Sequence, residues 1–183
     1  MPSISRTLAA VAITVVPVFA VAQPRTVTLL DYRATVPTGW TPRQPSSSMR
    51  LAEYLVPVPG MGHADAIVYF FGPGQGGSAV ANLERWKAQF STPDGSPVYE
   101  RITKDSTRVA SLVVAEYRGT YARGVGMGST SSAALPNHTL VAVVATTPRG
   151  TLFYQLYGPS PTVAAARAAY LGFVRSLTSV PPG

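Results

Sequence analysis

TLVAVVATT (Thr139–Thr147), PRG (Pro148–Gly150) and TLFYQLY (Thr151–Tyr157) form the stretch on which the fold turns. Two runs rich in β-branched and aromatic residues flank three residues in which Pro presets a turn and Gly takes the left-handed position. That pattern predicts an antiparallel hairpin. Directly after it, Ser160 as N-cap and Pro161 at the first helical position open a helix whose apolar stripe is Val163, Ala166, Tyr170, Phe173 and Leu177.

Upstream the same logic recurs. Val98–Thr103 and Arg108–Tyr121 read as two strands joined by a short Lys-Asp-Ser connection, after a Thr92-Pro93-Asp94-Gly95 turn. Ala66–Phe71 (AIVYFF) is a continuous apolar run, predicted to be a central strand buried on both faces. Ser78 is the predicted N-cap of a helix running to Phe90, with Leu83, Trp86 and Phe90 on its core side. Thr26–Val36 reads as one strand, Pro37–Trp40 as a turn, Thr41–Ser48 as a surface loop and Met49–Val56 as another strand. Residues 122–137 lack any period and form the longest loop. Hairpin connections dominate, so the expected class is α+β, a mainly antiparallel sheet flanked by helices.

Composition narrows the function classes. Zero Cys among 183 residues removes disulfides, Cys-ligated metals and thiol catalysis, and two histidines leave little for a His-based site. Residues 1–22 read as a signal peptide: Arg6, an apolar run from Leu8 to Phe19, then the Ala20-Val21-Ala22 cleavage box. The run is short for a membrane span and contains Pro17, so cleavage before Gln23 is expected, leaving one domain over 23–183. The expected product is exported, periplasmic or extracellular, without stable membrane insertion. The formal charge of +7 favours an anionic ligand or an envelope protein as partner. The cations are scattered, with no basic block of five, so the same charge also serves plain solubility and nucleic acid is not expected.

The motif with chemical content is GPGQGGS at 72–78. It satisfies G-x-G-x-x-G between a strand and a helix, but no parallel strand with an acid follows, and the Lys of a P-loop is missing. What remains is a glycine loop at a helix N-terminus, where free N–H groups and the dipole favour an anion. The candidate ligand-binding residues are Gly76, Gly77 and Ser78, with Asn82 and Arg85 on the polar side of the helix. The alternative is a tight turn that folds the helix back onto the sheet. His63 and Asp65 supply only two ligands, and His138 is most simply a strand-start residue, so no metal or cofactor is expected. No serine lies in G-x-S-x-G, and the eight acids suggest no pair, so no catalytic residue is named. Trp40 and Trp86 read as core anchors, whereas the roles of Tyr117, Tyr121, Tyr154 and Tyr157 stay open between core and groove.

Tyr32, Val36, Pro37, Gly39 and Trp40, with Phe153, Tyr154, Gly158, Pro159, Phe173, Ser176 and Leu177, resemble the opening strand and closing helix of the PsbP-like superfamily, which includes DcrB-type small exported bacterial proteins. The segment from Gly74 to Trp86 is also similar to secreted bacterial proteins with a GQGGS…N…RW segment. The PsbP-like resemblance implies an α/β/α sandwich and a non-enzymatic binding or accessory role in the cell envelope, with no catalytic residue carried over. The competing expectation is an exported hydrolase with its site between the 72–78 and 122–137 loops.

Overall fold

The computed structural model describes residues 25–122 and 134–180. The signal-peptide reading and residues 123–133 of the long loop lie outside them. Strands β1 (Thr26–Leu29), β2 (Tyr32–Thr35), β3 (Thr41–Arg43), β4 (Arg50–Val58) and β5 (Gly62–Tyr69) precede helix α1 (Ala79–Lys87). Strands β6 (Phe90–Ser91), β7 (Tyr99–Ser106), β8 (Ser111–Tyr121), β9 (Leu135–Thr147) and β10 (Gly150–Pro159) precede helix α2 (Ser160–Arg175), and β11 (Thr178–Ser179) follows.

Among the described residues the main sheet has eight strands in the order β3-β4-β5-β10-β9-β8-β6, with β7 also pairing β8. Every pairing is antiparallel. The decisive hairpin is present: Thr147 opposes Gly150 across Pro148-Arg149, and the β9–β10 register extends to His138 opposite Pro159. Strand β9 is sandwiched. It sends Val141, Val143 and Ala145 into the cluster that holds α2, and Leu140, Ala142 and Val144 into the one that holds α1. A run of consecutive apolar residues is thus the signature of a strand covered on both faces. Helix α2 lays Val163, Ala166, Tyr170 and Phe173 on one face, and Leu177 joins them just past its end. Trp40, Tyr54, Tyr154 and Phe173 stack edge-on or tilted within that cluster, with centroids 5.5–5.9 Å apart.

Several local expectations are corrected. The Thr26–Val36 segment is a tight hairpin, because Leu30 adopts a φ of +57° and Asp31 completes the turn. With β11 it forms a separate three-stranded sheet that closes the α2 side. The expected 41–48 loop begins as an edge strand, since Thr41–Arg43 pairs with Leu55–Glu53. Strand β5 starts earlier than Ala66 and stops at Tyr69. Helix α1 stops at Lys87, and Phe90 reaches the same core from β6. The turn between β7 and β8 is Thr107–Ala110 rather than Lys-Asp-Ser, because the Thr107 hydroxyl accepts from the amides of Val109 and Ala110. Leu135–Asn137, expected in the long loop, belongs to β9, and His138 lies in that strand near its start as expected. Ser160 does not cap α2; Pro159 occupies that position and the Ser160 hydroxyl accepts from Thr139 Oγ1. Among the described residues no helix is long and apolar enough to cross a membrane.

Candidate functional site

The glycine loop leaves β5 and doubles back to α1 on the side of the sheet that carries Phe153. Gly76 sits flat on this aromatic floor: a Cβ there would lie 2.7 Å from Phe153 and 2.9 Å from Phe71. Its φ of +92° is a second reason for glycine at that point. Ser78 caps α1 as predicted, its Oγ accepting from the Ala81 amide at 3.1 Å.

The five predicted residues are brought together, and the side chains at 82 and 85 turn toward the loop. Asn82 is buried rather than on a solvent face; its Nδ2 donates to the carbonyls of Gly76 at 2.7 Å and Ser78 at 2.9 Å. Arg85 Nη2 donates to Asn82 Oδ1. The carboxamide therefore ties loop to helix and also fixes the place of the guanidinium, which is exposed. A rigid glycine loop, a capped helix start and a held cation result. Gly77, at a φ of +77°, is exposed, and a Cβ there meets only Asn82 Nδ2 at 3.8 Å.

Elsewhere most of the acids are counter-ions. Glu53 accepts from Arg50 and Ser46, Asp65 pairs Arg43 at 2.8 Å, and Asp105 pairs Arg175 at 2.8 Å. Buried Glu116 receives Arg118 Nε at 2.9 Å on one oxygen and Arg167 Nε at 3.2 Å on the other. Arg118 also lies 4.5 Å above the Tyr99 ring. Burial pushes the Glu53 carboxyl up, but the Arg50 and Ser46 hydrogen bonds together outweigh it and hold the pKa below the ordinary value. The Arg175 hydrogen bond lowers that of Asp105. Groups held lower in the folded state stabilise it above their ordinary pKa and lose that contribution as pH falls. The urea midpoint is therefore expected to drop on acidification from about pH 6 to about pH 3, which denaturation monitored by circular dichroism measures.

An open cleft of about 590 Å³ lies among the β7–β8 turn, the end of α2 and β11. Ser106, Thr107, Arg108 and Val109 line one side, and Arg175, Leu177, Thr178 and Ser179 the other. The sequence did not announce it, because the two walls are some seventy positions apart and are joined by the Arg175–Asp105 pair. His63 and His138 stand apart from any ligand set: no group of three or more His, Asp or Glu among the described residues is arranged to hold a metal. His138 Nδ1 is 2.8 Å from the Pro136 carbonyl. Of the tyrosines left open, Tyr154 enters the α2-side core, while Tyr117, Tyr121 and Tyr157 pack on the α1 side. One wall of the expected hydrolase site, residues 123–133, lies outside the described chain.

No family model and no curated protein matches the sequence. Among solved structures, the chain is similar to the cyanobacterial PsbP (CyanoP) of Synechocystis sp. PCC 6803 at 12% identity and a TM-score of 0.53, covering 91% of this chain and 98% of that one. It is also similar to PA94, a protein of unknown function from Pseudomonas aeruginosa, at 14% identity and a TM-score of 0.47, covering 88% of this chain and 100% of that one. With its antiparallel sheet, the α2 face closed by the small β1-β2-β11 sheet and the α1 face by the glycine loop, the chain has a PsbP-like fold.

Proposed function

We propose that the protein is an exported, non-enzymatic binding or accessory factor of the cell envelope that engages an anionic ligand or an acidic partner protein. One observation carries this reading: six of the eight acids are spent as partners of Arg or Lys, so the surface charge left over is mostly cationic, guanidinium above all. A catalytic acid or base needs freedom to exchange a proton with substrate. These carboxylates are instead pinned to permanent cations. Export rests on the predicted leader, and the PsbP-like fold supports an accessory rather than a catalytic role only at the level of fold.

The contact point we assign is the start of α1, where Gly76, Gly77 and Ser78 present backbone amides beside a guanidinium held by Asn82. Phosphate, sulfate and glucuronate titrated in turn into isotopically labelled protein test it by NMR. Millimolar ligand is expected to shift the amides between residues 74 and 85. Arg85→Ala weakens the response modestly, and less so at high salt, because screening already removes part of its charge effect. Gly77→Val abolishes it through backbone strain at a positive φ, circular dichroism reporting that the fold persists. Unmoved amides across 74–85 make the loop a structural turn and remove this site.

A further inference from the structure

Among the described residues strand β7 is an open edge, paired with β8 alone. Of its eight residues, YERITKDS, all but Asp105 are exposed, and Tyr99 and Ile102 are among the large hydrophobics left in solvent. The opposite edge of the sheet is only Thr41–Arg43, blunted by Pro42, whereas β7 carries no proline. Long edges are normally protected because unpaired N–H and C=O groups template another strand. The charges on β7 exclude some partners and admit one in particular.

Hydrogen-bond parity fixes which backbone groups are outward. The Thr107 amide donates to the Ala110 carbonyl at 2.8 Å one step past the Ser106–Ser111 pair that ends the β7–β8 register, so Thr107 continues the ladder as a hydrogen-bonded position. Such pairs alternate along an antiparallel ladder. Tyr99, Arg101, Thr103 and Asp105 therefore aim their backbone at β8, and Glu100, Ile102, Lys104 and Ser106 aim theirs away. A second β7 can bond only with even positions opposite even positions. The excluded register would set Glu100 against Asp105 and Arg101 against Lys104, two like-charge clashes. Centred on Ile102, the allowed pairing sets Ile102 against its own copy and Glu100, one oxygen of which also receives Lys87 Nζ at 2.7 Å, against Lys104 on each side of it. All three side chains stand on one face, since they oppose Tyr117, Ala115 and Val113 of the α1-side core.

We propose that β7 is a self-association edge: two copies pair β7 to β7, antiparallel, about a two-fold axis at Ile102, and make one sheet continuous across a dimer. The apolar centre supplies burial and the flanking Glu–Lys pairs supply register. This surface is independent of the glycine loop, and neither depends on the other.

Sedimentation velocity of the purified protein tests it, with thermal melts showing that each variant folds. The wild type is expected to be a dimer. Ile102→Asp, which places two carboxylates together at the axis, is expected to weaken association by at least roughly tenfold. Glu100→Lys and Lys104→Glu each weaken it, and the double swap restores it, an outcome that a merely structural role for these residues would not give. The cysteine-free background gives a register test: Ile102→Cys is expected to form a disulfide-linked dimer on mild oxidation, and Thr103→Cys is not. A wild type that stays monomeric, a dimer indifferent to the charge reversals, or preferential crosslinking through position 103 overturns the proposal.

Discussion

Raising the pH above about 10 is expected to unfold this protein in one steep transition, with tyrosine ionisation and loss of structure coinciding. Tyr117, Tyr154 and Tyr170 are all but inaccessible to solvent, and burial raises the pKa of each above the ordinary value of 10.0. For Tyr117 the nearby charges of Glu100 and Glu84 add to the effect, and for Tyr170 the neighbouring Tyr154 does. A group that holds its proton more tightly when folded contributes stability that is complete below its unfolded pKa and lost as pH rises beyond it. Each such tyrosine costs about 1.4 kcal/mol per pH unit above its unfolded pKa, so three together remove about 4 kcal/mol per unit. Against a total stability of about 5–15 kcal/mol, about one to four units suffice.

Single substitutions separate the three. No hydrogen-bond partner reaches the Tyr154 or Tyr170 hydroxyl among the described residues. Tyr154→Phe and Tyr170→Phe are thus expected to be neutral or stabilising at pH 7 and to move the alkaline transition upward. Tyr117 differs, because its hydroxyl donates to the Leu83 carbonyl at 3.1 Å and links β8 to α1. Tyr117→Phe should cost about 1 kcal/mol at pH 7. Tyrosinate absorbance against far-ultraviolet circular dichroism across the titration decides it. Gradual ionisation near pH 10 with the fold intact refutes the burial argument.

The main sheet was legible because its strands announce themselves by apolar runs and turns. The β9–β10 hairpin and the stripe of α2 needed nothing beyond period and punctuation. The errors fall where a single residue overrides its propensity. Leu30 at a positive φ breaks one expected strand into a hairpin, and a β-branched-free leucine in that region carries no sequence warning. Phe90 keeps the i+7 relation to Leu83 that the helical stripe requires, yet reaches the core from a strand, because the same distance is spanned by a short helix and a turn. Helix period predicted the contact correctly and the element wrongly.

The candidate site was half legible. Gly76, Gly77 and Ser78 could be named from the strand–glycine–helix order, and the cap proved to be as drawn. Asn82 could not be read, since a single asparagine on a short helix gives no sign of whether it faces water or satisfies a loop. Its burial makes the loop more rigid than glycine content alone would suggest. The 106–109 and 175–179 cleft was invisible for a different reason: its walls meet through the Arg175–Asp105 contact between distant segments, and neither wall carries a motif.

The second large effect is expected at Trp86. The ring is 3% exposed, packs with Leu83 and Phe90, and meets Phe153 edge-on with centroids 6.4 Å apart. Phe153 is also the floor beneath Gly76, so Trp86 and the glycine loop rest on the same side chain. Trp86→Ala is expected to cost about 3–5 kcal/mol, because truncation leaves a cavity that a helix tethered by Asn82 and Tyr117 cannot collapse to fill. Gly76→Val attacks the same packing from above, driving a branched side chain into Phe153 and Phe71 at a φ that only glycine adopts freely. Sharing one partner, the two changes should be non-additive in urea denaturation, the double variant losing less than the sum. Val80→Ala on the exposed side of the same helix, 68% accessible, is the reference and should stay within about 0.5 kcal/mol of wild type. A Trp86→Ala loss below about 1 kcal/mol would place the ring's contribution outside the core.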